Sequence, residues 1–282
     1  MLRTARLAAI LACAALLAPS VAFADVSISA AGSTALQPLV QAAAEAYQAR
    51  NPDLKISITG GGSRTGLALV SSGSADIGNS DILASKEQTE PSSDGKKPGL
   101  VDHKVCAVGF ALVVHPDNGV KGLTKAQIQD IFSGKVKNWK DVGGKDLAII
   151  VINRPASSGT RAVFVKTVMG KADLSRDTLV EDATGTVVQK VTQTAGTISY
   201  ASFSGTHGKA GINELAIDGI APTEENIENG KYPFWSYEHM YTNGPPSKDV
   251  SRFLAFVQSN SSLVRKLGYI LTRNIQKPEN DR

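Results

Sequence analysis

The stretch HKVCAVGFALVVHP, residues His103–Pro116, is a long apolar run with the pattern of a β-strand. Its length predicts a strand that leaves one sheet and enters another. A second apolar strand pattern, TISYASF at residues 197–203, is well placed to carry the chain back. The two crossing strands therefore predict a discontinuous first domain with a second domain inserted between them.

The rest of the chain alternates short apolar strand patterns with helical patterns. Strand patterns occupy residues 26–33, 55–63, 75–81 and 147–155, and helical spacing occupies residues 34–50, 64–73, 124–134, 161–170 and 186–196. The charged segment 84–99, which contains two prolines, is predicted to be a surface loop. This alternation indicates an α/β fold with sheets covered on both faces. We predict lobe I at residues 25–111 plus 201–282 and lobe II at residues 112–200.

The first 24 residues have the pattern of a secretory signal peptide. Arg3 and Arg6 precede an apolar run that ends in the small-residue pattern Ala22-Phe23-Ala24, so we expect the mature chain to begin at Asp25. Cys13 lies inside the apolar run, and no cysteine stands at the cleavage point, so a lipoprotein anchor is not expected. No later apolar run reaches the roughly 20 residues of a membrane span. An exported, soluble product is predicted.

Composition argues against several classes of function. Without the two signal arginines, 28 basic residues face 26 acidic ones, and no run of Lys or Arg offers a nucleic-acid site. Cys106 is the one cysteine of the predicted mature chain, so no intrachain disulfide is expected, and its apolar surroundings indicate a buried side chain. The four histidines show no metal-ligand spacing. No metal or organic cofactor is therefore expected.

Three loops share one design, in which small hydroxyl residues with glycine stand between a strand pattern and a helical pattern. They are Gly32-Ser33-Thr34, Gly62-Ser63 and Ser158-Gly159-Thr160. The start of a helix leaves backbone N–H groups without partners and is the positive end of the helix dipole. Glycine permits close approach, and Ser or Thr adds a hydroxyl donor, so three such loops at one cleft would surround an oxyanion. Any one such loop, taken alone, is more often an ordinary helix N-cap.

Arg154, in the stretch NRPASSGTRAVF, is the candidate cation of this site. Its guanidinium fork can hold two oxygens of one anion, and the alternative is a surface arginine in a salt bridge. Arg64 and Arg161 also follow hydroxyl loops and could add charge, but the helical pattern favours projection into solvent. Ser158 could instead be a nucleophile, yet PASSG is not the G-x-S-x-G elbow and no recognisable His/Asp motif accompanies it.

Asp81, at the end of the strand pattern ADIGNSD, would repel a fully deprotonated anion in the same cleft. Hydrogen phosphate carries a proton at neutral pH and sulfate does not. A carboxylate at this position could accept that proton in a hydrogen bond and reject sulfate. The alternative is a helix or turn cap.

Several longer motifs are similar to one known family. They are AAGSTALQPLV, ITGGGSRTGLALVSSGSADIGNSD, LTKAQIQDIFSGKVKNWKDVGG, NRPASSGTRAVF and GINELAIDGIAPTEENIENGKYPFWSYEHMYTNG. Together they resemble the phosphate-binding proteins, the periplasmic receptors of high-affinity phosphate ABC importers. The resemblance covers nearly the whole predicted mature chain, in the same order, and its most specific parts are IFSGKVKNWKDVGG and GIAPTEENIENGKYP.

The resemblance implies a two-lobed periplasmic-binding-protein fold of type II, with two hinge strands and a ligand cleft between the lobes. It further implies a non-catalytic monomer that binds inorganic phosphate in the periplasm and delivers it to an ABC importer permease in the inner membrane. Carried over by motif, the phosphate contacts would be Thr34, the backbone of Ala35, Ser63, Asp81, Arg154, Ser158, Gly159 and Thr160, with Ser33 and Arg64 as weaker candidates.

Two positions depart from the family pattern. Some relatives carry a carboxylate two residues after the arginine, where this chain has Ala156, and many have a small polar residue in place of Arg64. Either departure could alter affinity or admit sulfate, molybdate, tungstate or a phosphonate. The sequence is also compatible with an extracellular phosphate sensor of the same fold and, more remotely, with a secreted serine hydrolase or phosphatase.

Overall fold

A computed structural model describes residues 26–276 except 94, 96 and 97. The predicted signal peptide and Cys13 lie outside the described residues. The strands are β1 (Val26–Gly32), β2 (Leu54–Gly61), β3 (Ile77–Ser80), β4 (Leu100–Val114), β5 (Gly122–Leu123), β6 (Ile150–Asn153), β7 (Leu179–Val180), β8 (Thr197–Ser202), β9 (Asn213–Ile217) and β10 (Trp235–Asn243). The helices are α1 (Gln37–Gln48), α2 (Ser63–Ser71), α3 (Lys86–Thr89), α4 (Lys125–Phe132), α5 (Gly159–Phe164), α6 (Thr184–Gln193), α7 (Phe203–Thr206), α8 (Glu224–Glu228), α9 (Lys248–Ser259) and α10 (Ser261–Lys266).

The first part of the sheet has the strand order β2-β1-β3-β10-β4. Strand β1 is parallel to both β2 and β3, whereas β10 is antiparallel to β3 and β4. Because the three parallel strands end at one edge, the residues that follow them are brought together there. Those residues are the loop Gly32-Ser33-Thr34, the loop Gly62-Ser63 and Asp81.

Strand β4 connects the two parts of the sheet, as the apolar run predicts. Nine of its first ten residues, all but Val105, pair with β10, and its last five, Phe110–Val114, pair with β8. Beyond β8 the order continues to β6 and β7, and β6 is parallel to both. The chain leaves β6 at Asn153 and enters the loop before α5, so the third hydroxyl loop also follows a parallel strand.

The lobe boundaries stay a prediction. Strand β8 pairs with the second half of β4 and with β6. Strand β9, which falls in the range predicted for lobe I, pairs with β5 and with the second half of β4. The chain rejoins the first part of the sheet at β10.

Local sequence accounts for the helix that carries the third loop. Ser158 is the N-cap of α5, and its Oγ accepts the N–H of Arg161. The predicted helix over 161–170 continues from α5 into a π-helical turn at Val165–Met169. Phe164 stacks on Tyr200 of β8 with ring centroids 4.3 Å apart, which fixes α5 on the core below the loop.

Two further predictions concern a surface loop and membrane-spanning segments. The described residues of segment 84–99 are largely exposed, as expected, and include the short helix α3. Within the described residues, no helix combines the length and the hydrophobicity that a membrane span requires.

Candidate anion-binding site

The first hydroxyl loop turns sharply from β1 toward α1. Gly32 has φ +132°, and a Cβ at this position would lie 2.2 Å from the carbonyl oxygen of Asn79, so only glycine fits. The N–H of Ser33 donates to that same carbonyl at 2.9 Å. Ser33 Oγ accepts the N–H groups of Ala35 at 3.1 Å and of Leu36 at 3.0 Å. Ser33 therefore holds the loop, and the Thr34 hydroxyl is left to face the neighbouring arginine.

The second loop places Ser63 against Asp81. Gly62 has φ +90°, and α2 starts at Ser63. Ser63 Oγ accepts the N–H of Asp81 at 2.9 Å and donates to its Oδ1 at 3.2 Å. Both side chains are at most 1% exposed. A buried carboxylate is stable only when it is well hydrogen-bonded, and this serine supplies part of that requirement.

The third loop meets the second across the two predicted lobes. Thr160 Oγ1 donates to Asp81 Oδ2 at 2.8 Å. The N–H of Arg64 donates to the carbonyl of Ser157 at 3.0 Å. A Cβ at Gly159 would lie 2.1 Å from Ser63 Oγ, so the backbone of α5 passes directly over the second loop. Asp81 thus receives a hydroxyl hydrogen bond from each predicted lobe.

Arg154 is the buried cation of the site, with 1% of its surface exposed. Its Nη2 donates to Thr34 Oγ1 at 3.0 Å and to the backbone carbonyl of Asp182 at 2.7 Å. Burial lowers the pKa of Arg154, and the nearby Tyr200, Asp81 and Asp182 oppose that shift. Guanidinium groups remain charged in proteins, so the site holds a full positive charge.

Two donor atoms of Arg154 remain available to a ligand. Nε and Nη1 are buried, and neither has an acceptor among the described residues. An unpaired buried charge is costly, so these atoms favour an anion with at least two oxygens. A phosphate or similar oxyanion fits that donor pattern.

Backbone carbonyls and neutral side chains, rather than a carboxylate at position 156, restrain Arg154. Asn153 Oδ1 accepts the Arg154 N–H at 2.8 Å and also accepts the hydroxyl of Tyr200. Arg161 Nη1 donates to the carbonyl of Arg154 at 3.2 Å, so the Arg161 guanidinium turns back onto its own loop. The prediction that Arg161 projects into solvent is therefore wrong. Burial raises the pKa of Tyr200 well above its usual range, which keeps the hydroxyl a donor.

The predicted site residues fall into three groups, with Arg64 apart from them. Thr34 and Arg154 bind each other, and Ser63, Asp81, Gly159 and Thr160 form one contact set. Ser33, Ala35 and Ser158 are buried in the same loops, where the Ala35 N–H is bonded to Ser33 and the Ser158 hydroxyl caps α5. Arg64 is exposed and contributes its backbone N–H to the loop contact.

Several supporting residues are not predicted by the sequence. The hydroxyls of Tyr269 and Ser204 both donate to the carbonyl of Ala35, across sequence separations of 234 and 169 residues. Asp182 acts through its backbone oxygen, which no side-chain pattern can reveal. Asn153 directly precedes the predicted Arg154 in the chain. This adjacency is the one local signal in the sequence that could have identified Asn153 as a supporting residue.

Ser158 is not paired with a catalytic base in the described residues. Among the described residues, Ser158 Oγ accepts a backbone N–H and no histidine joins it, so a nucleophile and base are not assembled there. No cluster of three or more described His, Cys, Asp or Glu residues could hold a metal ion. The fold and the site together define the class of the anion-binding proteins, with hydroxyl loops from both parts of the sheet brought to one place.

Comparisons with known proteins give the family. A model of the PBP superfamily domain matches residues 18–261. The phosphate-binding protein PstS of Bacillus subtilis is 44% identical over 248 residues, covering 86% of this chain and 80% of that protein. The chain therefore belongs to the PBP superfamily and, within it, to the family of the phosphate-binding protein PstS.

Solved structures agree with this fold. A Clostridium perfringens protein described as a putative phosphate ABC transporter substrate-binding protein, crystallised with bound phosphate, superposes with a TM-score of 0.78 at 31% identity. That match covers 87% of this chain and 99% of the other. An ABC-type phosphate transport receptor from Vibrio cholerae gives a TM-score of 0.67 at 26% identity, over 86% and 99% of the two chains. The two-lobed fold predicted from the sequence is confirmed.

Proposed function

We propose that this protein binds inorganic phosphate reversibly between its two lobes and delivers it to the permease of an ABC importer. The observation that carries the proposal is Arg154, a buried guanidinium with two unpaired donor atoms beside the hydroxyl loops of both lobes. Relatives described as phosphate-binding and phosphate-transport proteins support the same ligand.

In this proposal, fixed donors replace the water around the anion. Arg154 supplies charge, and the hydroxyls of Thr34 and Ser158 supply neutral donors. Ser63 and Thr160 give their hydroxyl protons to Asp81 and would turn them to the anion to bind it, and the backbone of Ala35 and Gly159 lies beside them. Donors come from both lobes, so ligand binding and lobe closure are coupled. The lobes would be residues 25–111 plus 201–282 and residues 112–200.

Asp81 is the proposed selectivity group. Its carboxylate accepts hydroxyl hydrogen bonds from Ser63 and Thr160, and it would accept the proton of hydrogen phosphate. Sulfate has no such proton and would meet an uncompensated repulsion. The proposed role is therefore discrimination between protonated and fully deprotonated oxyanions.

Calorimetry with phosphate and sulfate tests this function. We expect the wild-type protein to bind phosphate and to bind sulfate at least about 100-fold more weakly, the range of one lost charged hydrogen bond. Asp81→Asn should reduce the ratio of phosphate affinity to sulfate affinity. Asp76→Asn is a matched control, because Asp76 also accepts two hydrogen bonds, both from Ser29, at the far end of β3. Equal affinities for the two anions in the wild type would refute phosphate specificity.

The cellular role is also a proposal. A cleavable signal peptide would place the monomeric receptor in the periplasm without a lipid anchor, and the mature N-terminus determined by mass spectrometry should be Asp25. Deletion of the gene should slow initial phosphate uptake at limiting supply, whereas a pure sensor would leave that rate unchanged. We expect no turnover of aryl phosphates or aryl esters.

A further inference from the structure

Strand β10 carries a carboxyl group that the contacts of the anion site do not use. Glu238 has none of its surface exposed. Neither carboxylate oxygen has a hydrogen-bond partner among the described residues. Charged carboxylates are seldom buried without partners, so this group calls for a physical explanation.

The sheet register places Glu238 beside Asp81. Strands β3 and β10 are antiparallel, with Met240 opposite Asn79 and His239 opposite Ser80. The next position in this register sets Glu238 opposite Asp81 at the end of β3. Asp81 is close enough to act electrostatically on the Glu238 carboxyl, although neither carboxylate oxygen of Glu238 has a hydrogen-bond partner among the described residues.

The surroundings of Glu238 disfavour a second negative charge. On the neighbouring strand β4, its register partner is Cys106, and Tyr269 faces it from the segment after α10. Burial raises the pKa values of both Cys106 and Tyr269, so both are neutral. No described lysine, arginine or histidine forms an ion pair with Glu238, and Asp81 is the charged group beside it.

We propose that Glu238 is a positioning residue of the phosphate site, a neutral carboxylic acid next to Asp81 that keeps Asp81 as the acceptor of the phosphate proton. This inference rests on the proposed function. Two neighbouring carboxyl groups in a buried site share one proton more easily than they tolerate two charges. With the proton on Glu238, Asp81 carries the single charge and remains able to accept a hydrogen bond.

The direction of the pH effect follows from this arrangement. Burial raises the pKa of Glu238 well above its usual range, and the charge of Asp81 raises it further. As pH rises through that pKa, Glu238 ionises, and the doubled negative charge opposes the anion. If one proton is linked to binding, the dissociation constant for phosphate should rise by up to about tenfold per pH unit above the pKa.

The test compares phosphate affinity from about pH 6 to about pH 10, a range that lies above the ordinary pKa of a glutamate. Glu238→Gln should match the wild type within about threefold at neutral pH and lack the alkaline loss of affinity. Ser236→Ala is the control, since Ser236 is also fully buried on β10 with an unpartnered hydroxyl but has no carboxyl proton. Ser236→Ala should retain the wild-type pH profile. Phosphate and the surface groups titrate equally in both variants, so a difference between the two profiles reports on Glu238.

Each outcome decides one point. A wild type that binds no phosphate at any pH overturns the proposed function itself. A wild type that binds phosphate, with Glu238→Gln showing a parallel pH profile or a tenfold weaker affinity at neutral pH, overturns the role of Glu238 alone. If the variant does not fold, infrared spectra of the wild type serve instead: a neutral carboxyl C=O band at about pH 8 that shifts on phosphate binding supports the role, and its absence refutes it.

Discussion

Gly159→Ala tests whether contact between the two predicted lobes sets the affinity. Gly159 is the first residue of α5, and alanine is acceptable there as a helix former. Its added Cβ, however, would lie 2.1 Å from Ser63 Oγ and 2.9 Å from Asp81 Cβ, both in the predicted lobe I. The clash is therefore between lobes and not within the core of either one.

The magnitude follows from the distances. Ordinary contacts between heavy atoms begin near 3.5 Å, so the loops would have to separate by more than about 1 Å. The hydrogen bond between Thr160 Oγ1 and Asp81 Oδ2, now 2.8 Å long, would then be broken. A hydrogen bond to a charged group contributes about 1.5–3 kcal/mol, which corresponds to a roughly 10- to 150-fold weaker phosphate affinity.

Calorimetry and thermal unfolding together provide the assay. The unfolding temperature without phosphate should fall by several degrees at most, because only the hydrogen bond between the lobes is lost and Gly-to-Ala substitution in a helix is itself neutral or slightly stabilising. Gly185→Ala is the matched control: Gly185 also lies in the first turn of a helix, α6, but nothing stands within 4 Å of the added Cβ. Wild-type phosphate affinity in Gly159→Ala would refute the reasoning that lobe contact limits binding.

Three further substitutions probe the groups around the ligand. Arg154→Lys should weaken phosphate binding by at least about 10-fold in calorimetry, because one ammonium cannot replace the bonds to Thr34 and Asp182 and still present two donors; unchanged affinity would contradict this. Tyr269→Phe removes a buried donor to the Ala35 carbonyl, so the free energy of unfolding should fall by about 1–2 kcal/mol and phosphate should bind more weakly. A purely structural role for Tyr269 would leave the phosphate affinity intact. Glu238→Gln should become more stable relative to the wild type as pH rises from about 4. The raised pKa of Glu238 makes the free energy of unfolding of the wild type fall with pH until that pKa is passed, whereas glutamine does not titrate. A pH-independent difference between the two proteins in denaturant unfolding would argue against a neutral Glu238.

The parts of the site that the sequence predicts are those with a local pattern. A glycine and a hydroxyl residue between a strand and a helix specify a loop whose backbone N–H groups face the strand ends, and parallel pairing of β1 with β2 and β3 brings two such loops to one edge. The crossing strand is predictable because a run of apolar residues too long for one sheet must find partners in another.

The supporting contacts were not predictable because they join residues remote in sequence. The Arg154 guanidinium depends on a backbone carbonyl at Asp182, and the position of Glu238 next to Asp81 depends on the register of an antiparallel pair. The expectation that Arg161 points into solvent failed for a related reason: helical periodicity describes where a side chain leaves the helix, not where a long flexible side chain ends.

Protein contacts already supply part of the energy that brings the two predicted lobes together. Thr160 with Asp81, Arg154 with Thr34, and the N–H of Arg64 with the Ser157 carbonyl all join the two predicted lobes. Contacts that favour the closed arrangement add to those of a ligand, so substitutions at these protein contacts should also change the apparent affinity for phosphate. Arg154 is held by neutral groups: the Asp182 carbonyl restrains the guanidinium and leaves its charge for the anion.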